Sequence, residues 1–159
     1  SKRIVREPRR RYYEHYMRER GLFRPDLVIE APMRDQMIVE NEFSMRLRAM
    51  ERDSAPTAIV TVNEECAIGA IHALRKLQVQ VPTAMSIVSF NDTVMSSVVE
   101  PPLTSVSPHL DYMAATAVHL VMQRASTPAH RPERRYPQKI VIPPALVRRS
   151  STAPYIEKE

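Results

Sequence analysis

The sequence predicts an α/β fold, a parallel sheet flanked by helices, on three observations. Strand-length runs of apolar and β-branched residues alternate with stretches of helical period. The runs centred near residues 59 and 88 are almost wholly apolar, as strands covered on both faces are. Polar side chains, Asn63 after the first run and Asn91-Asp92 after the second, stand at strand carboxyl ends, where open α/β sheets bind ligands.

Taken in order, residues 9–20 read as a helix with Tyr12, Tyr13, Tyr16 and Met17 on one face, stopped by Gly21. Asp26-Leu27-Val28-Ile29-Glu30 is a short apolar run of strand length. Residues 36–51 return to helical spacing with Val39, Phe43, Leu47 and Met50 in one stripe, until Ala55-Pro56 interrupts. Thr57-Ala58-Ile59-Val60-Thr61-Val62 is a strand. Asn63 follows as a helix N-cap, with Glu64 and Glu65 in a first turn whose dipole favours them. That helix runs to about Leu77 and buries Ala67, Ile68, Ala70, Ile71 and Leu74. Met85-Ser86-Ile87-Val88-Ser89-Phe90 is the next strand, after the break at Val81-Pro82.

Beyond the stiff Glu100-Pro101-Pro102 the rhythm changes. Leu103-Thr104-Ser105-Val106 is a short extended piece. Pro108 opens a helix with Leu110, Met113, Ala114, Ala117, Leu120 and Val121 on one face. Residues 126–135 read as a loop. Gln138-Lys139-Ile140-Val141-Ile142 and Ala145-Leu146-Val147-Arg148 read as strands around Pro143-Pro144. Residues 1–149 form the expected domain, and the polar tail 150–159 is expected to fray.

Composition excludes several function classes. The 159 residues suit one domain, and 43% hydrophobic with 26% charged residues is ordinary for a globular chain. No apolar run approaches the roughly 20 residues that cross a bilayer, and no apolar core of a signal peptide follows the charged start, so no membrane partner is expected. A single cysteine, Cys66, rules out an intrachain disulfide and fits a reducing, cytoplasmic setting. Only Gly21 and Gly69 occur, so neither common glycine-rich phosphate cradle exists, and no cofactor is expected. The net charge of +5 is spread over clusters at Arg9-Arg10-Arg11, Arg134-Arg135 and Arg148-Arg149 without a recognition motif. Solvated surface charge is therefore favoured over direct nucleic-acid binding. His15, His72, His109, His119 and His130 show no zinc spacing, so no metal is expected.

Each remaining candidate has a structural reading beside its functional one. Glu64, Glu65 and Asp92 near the sheet edge could form a catalytic carboxylate pair, yet the helix start alone explains the first two. Cys66 lies early in a helix, where a thiolate is favoured, yet no nucleophile signature accompanies it. The Arg9 guanidinium could grip hydroxyls or a carboxylate, and from composition alone it is a solvent-facing arginine. The amides of Asn63 and Asn91 both donate and accept, which suits sugar hydroxyls and equally suits capping.

Three stretches resemble the LacI/GalR family of transcription regulators. Pro56-Thr57-Ala58 through Val62-Asn63-Glu64-Glu65-Cys66-Ala67-Ile68-Gly69-Ala70 is similar to its strand-to-helix segment. Val81-Pro82, then Ser86 to Asp92, then Pro101-Pro102-Leu103-Thr104-Ser105-Val106 is similar to its second strand and crossover. Pro144-Ala145-Leu146-Val147-Arg148-Arg149-Ser150-Ser151-Thr152 is similar to its closing segment. The resemblance implies one lobe, the carboxyl-terminal one, of a two-lobed periplasmic-binding-protein-like effector domain. A small-molecule effector, such as a sugar, would bind between lobes and modulate operator DNA binding by a helix-turn-helix headpiece lying upstream, in an intact homodimer. It also implies the ligand contacts Arg9, Asn63, Asn91 and Asp92. Departures exist. The first acid of the family's Asp-Asp pair is Asn91, its usual strand glycine is Ser89, and Tyr12 replaces a glycine after the arginine, which leaves Arg10 and Arg11 as alternatives to Arg9. The strand and helix over 103–125 would join a first lobe, so the apolar stripe of that helix is expected to be exposed, covered by another molecule or repacked. Two other classes stay open: an exported solute-binding protein of a transporter with the same fold, and an α/β enzyme using Glu64, Asp92 or Cys66.

Overall fold

The computed structural model describes residues 8–30, 35–51, 55–128, 131 and 136–155. The Arg134-Arg135 cluster and His130 lie outside these residues. Helix α1, Pro8–Glu19, opens with a proline at its first position, where the missing N–H has no helical partner to lose. A 3-10 turn, Pro25–Leu27, follows. This replaces the strand expected over 26–30. Pro25 presets the turn, Val28 N–H donates to Pro25 O at 3.1 Å, and residues 28–30 join no ladder.

Helix α2, Gln36–Ala49, is capped by Asp35, which accepts from the Met37 and Ile38 amides. Val39 and Phe43 are buried from its predicted stripe. Strand β1, Ala58–Val60, leads to helix α3, Glu64–Lys76, in which Ala67, Ile68, Ala70, Ile71 and Leu74 are all buried as the spacing predicts. Helices α2 and α3 close tightly at Gly69. A Cβ there would sit 2.7 Å from the Gln36 carbonyl oxygen and 3.0 Å from Val39 Cβ.

Strand β2, Ser86–Phe90, short helix α4, Val94–Val98, and strand β3, Thr104–Ser107, follow. Helix α5, Leu110–Ser126, and strand β4, Ala145–Val147, complete the described elements. The sheet order is β1-β2-β3-β4, with the first three strands parallel and β4 antiparallel to β3. Registers pair Ile59 with Ile87 and Ser89 with Ser105. Ile87, Met85 and Leu103 meet Ala70, Ile71 and Leu74 of α3, and Phe43 of α2 joins the same core.

Two features depart from sequence expectation. The run 138–142 forms no strand among the described residues. Ile140 and Val141 are exposed there, and the open edge of β3 is taken by β4 instead. The tail begins built in rather than frayed. Ser151 is fully buried, its Oγ donates to Ile87 O at 2.6 Å and accepts from Thr104 N at 2.8 Å, and its carbonyl accepts from Ile87 N. Thr152 Oγ1 lies 2.9 Å from Thr104 Oγ1. The polarity that suggests a tail supplies these sheet contacts. Helix α5 has no buried residue, with Leu110, Tyr112, Met113, Val118, Val121 and Met122 exposed. Its apolar face is exposed in this chain.

Candidate functional site

The carboxyl ends of β1 and β2 lie side by side, because the two strands are adjacent and parallel. Arg9, in the first turn of α1, reaches both. Its Nη1 donates to Val62 O at 2.9 Å, its Nη2 donates to Asn91 Oδ1 at 3.1 Å, and the guanidinium stands 5.0 Å from the Phe90 ring centroid. Stacking on the ring fixes the plane of the fork while its edges bond. The neighbouring arginines turn elsewhere. Arg10 bonds Glu14 at 2.6 Å and also pairs with Glu30, carboxylates that hold its pKa above the usual arginine value. Arg11 stands over Tyr12. Of the three, Arg9 is the one the structure places at the strand ends.

Asn63 is at the same rim, immediately after the Val62 carbonyl that Arg9 holds. Its Oδ1 accepts from Cys66 N at 3.0 Å, so its side chain caps α3. Asn91 and Asp92 carry φ of 91° and 53°. This is the left-handed region, which asparagine and aspartate tolerate better than other non-glycine residues. The turn is held by Asn91 N donating to Val106 O at 3.0 Å and by Asp92 N donating to Ser105 Oγ at 3.2 Å. The Asp92 carboxylate points to Arg149, 2.7 Å away, as an ion pair rather than an aligned hydrogen bond. Arg149 Nη1 also donates to Leu103 O at 2.7 Å. The structure thus brings Arg9, Asn63, Asn91 and Asp92 to one edge, with Arg9 and Asn91 directly bonded.

Two residues at this edge escape the sequence reading of roles. Arg149 reads there as part of a dispersed charge cluster and a closing motif, with nothing local to pair it with Asp92. Glu64 reads as a helix-dipole acid, yet it is 4% exposed and ties down the turn after β2. Beneath them, Thr61 Oγ1 donates to the buried Ser89 Oγ at 3.2 Å, so this serine joins the end of β1 to β2.

The catalytic alternatives gain nothing from this geometry. Glu64 and Asp92 are both engaged as described. Burial, with Glu65 beside it, pushes the Cys66 thiol above its usual pKa, against the thiolate expected at a helix start. Among the described residues no group of three or more His, Cys, Asp or Glu side chains could hold a metal, and no helix is long and apolar enough to cross a membrane. An open hollow of about 530 Å³ lies elsewhere, at the end of α5, lined by Leu120, Gln123, Arg124, Thr127, Arg131 and Gln138 among others. None of the four rim residues borders it.

The profile of the periplasmic binding protein-like domain family matches residues 2–152. The chain is 34% identical over 128 residues to the HTH-type transcriptional regulator DegA of Bacillus subtilis (strain 168), covering 77% of this chain and 36% of that protein. It is 29% identical over 149 residues to the HTH-type transcriptional regulator GalR of Streptococcus thermophilus, covering 94% of this chain and 43% of that protein. Among solved structures, a LacI family transcriptional regulator from Lactobacillus casei with bound sucrose superposes with a TM-score of 0.72 at 21% identity, over 91% of this chain and 50% of that one. The chain spans half or less of the length of each of these relatives. The chain belongs to the periplasmic-binding-protein-like domain family, in the branch carried by LacI/GalR-type transcription regulators.

Proposed function

We propose that this chain is effector-sensing material of a LacI/GalR-type regulator, and that its ligand is a sugar or related small metabolite held at the Arg9–Asn91 edge. The observation that carries the reading is the Arg9 fork joining Val62 O to Asn91 Oδ1 across the carboxyl ends of two parallel strands. Asn63 and Asp92 belong to the same site, the first shaping it through the α3 cap and the second through Arg149. The sucrose in the Lactobacillus casei structure supports a sugar class. That DegA and GalR are HTH-type regulators supports a regulator over an exported solute-binding protein of the same fold, and over an enzyme.

The mechanism is a population shift. Effector binding favours one arrangement of two lobes and so changes operator affinity of a helix-turn-helix headpiece in a cytoplasmic homodimer. The exposed apolar face of α5 is the surface that docks on the other lobe of such an arrangement. The test is calorimetry on the intact regulator with sucrose, glucose, ribose and other sugars, followed by Arg9→Ala on any sugar that binds. Losing a charged donor pair should weaken binding by about 1.5–3 kcal/mol, roughly 10- to 150-fold. Binding that is unchanged in Arg9→Ala, or no binding across the panel, would overturn the site.

A further inference from the structure

The buried Glu64 carboxylate accounts for one detail that the ligand reading leaves open, namely which end of the Asn91 amide faces the ligand edge. Glu64 Oε1 accepts from Thr93 N at 2.7 Å and from Ser96 Oγ at 3.1 Å, while Oε2 lies 3.5 Å from Asn91 Nδ2. Asn91 therefore stands between a guanidinium on one side and a carboxylate on the other. Its two ends are nearly the same size, and chemistry alone decides their sense. Carbonyl toward Arg9 and NH2 toward Glu64 gives two complementary contacts. The reverse sense sets donor against donor at Arg9 and acceptor against acceptor at Glu64.

We propose that Glu64 is a positioning residue that locks Asn91 with its carbonyl at the rim, so that the site selects a ligand hydroxyl. This deepens the sensor reading and rests on it for its functional consequence. A hydroxyl can donate to Asn91 Oδ1 and accept from Arg9 at once. A carboxylate oxygen can only accept, so it meets Oδ1 as a second acceptor. Glu64 does this from a buried place at the start of α3, held by the turn whose geometry it stabilises.

The test is NMR of the full chain without ligand, so its outcome is independent of whether the edge binds a sugar. In the unmutated protein the Asn91 side-chain NH2 protons should show cross-relaxation to the Glu64 γ-methylene; cross-relaxation to the Arg9 guanidinium instead would overturn the proposal. Glu64→Gln separates positioning from simple anchoring. The glutamine carbonyl can still serve Thr93 and Ser96, but its NH2 then opposes the Asn91 NH2. The expected result is a shift of the Asn91 side-chain resonances toward those of an exposed amide, with Thr93 amide exchange within about 3-fold of the unmutated rate. Glu64→Ala should move the Asn91 resonances and also speed Thr93 exchange by about 10-fold or more. Ser96→Ala keeps the carboxylate and should leave Asn91 in place. Asn91 resonances unmoved by Glu64→Gln, or moved equally by Ser96→Ala, would overturn the proposal. Should Glu64→Gln fail to fold, the cross-relaxation pattern of the unmutated protein decides.

Discussion

Helices α3 and α5 carry the same kind of apolar stripe in sequence and meet opposite fates. Every residue predicted for the inner face of α3 is buried, and Leu74 and Ala73 are entirely inaccessible. In α5 nothing is buried, and Val121 and Met122 remain 66% and 65% exposed. The difference lies in what stands opposite. Helix α3 has β2 on one side and α2 on another, closed together at Gly69. A stripe of helical period states that a helix can bury one face. It does not state that a matching surface lies within the same residues. The contrast locates the stability of this chain in the α2–α3–sheet body and leaves the apolar face of α5 open.

The comparison can be broken at three places. The largest effect is expected at Leu74→Ala, which empties a fully buried position and should cost about 3–5 kcal/mol in urea unfolding. A loss under about 1 kcal/mol would mean that the body is not the stable unit. Next comes Ser151→Ala, which removes the acceptor of the buried Thr104 N–H and the donor to Ile87 O. It should cost about 1–3 kcal/mol by the same measurement, and a neutral result would return residues 150–153 to a loose tail. The smallest effect is expected on α5. Val121→Ser with Met122→Ser should change stability by no more than about 0.5 kcal/mol per site and lower binding of an apolar fluorescent dye. A large loss of stability there would show that α5 is packed after all.

Much of this was legible beforehand where the cause is local. The stripe of α3, the cap at Asn63 and the strand before it each follow from a few adjacent residues. The rim candidates were legible too, because parallel sheets put strand carboxyl ends on one edge. What escaped depends on partners far away in sequence. Asp26-Leu27-Val28-Ile29-Glu30 has strand composition, but Pro25 turns it and residues 28–30 join no strand. Residues 138–142 have it as well, while β3 accepts 145–147 instead. Arg149 and Asp92 carry no local signal of each other, and the polar Ser151-Thr152 looks like a solvated end until the Thr104 and Ile87 backbones stand opposite.

The amino-acid order alone determined the stripe and cap of α3, the alternation of strand and helix over 57–90 and the residues at the candidate edge, since periodicity and capping act over one or two turns of chain. The tertiary structure decided which arginine serves that edge, which way Asn91 is held, and which apolar face stays open. Those outcomes depend on which distant segments chain closure brings within hydrogen-bond or packing distance, and no short window of sequence contains that information.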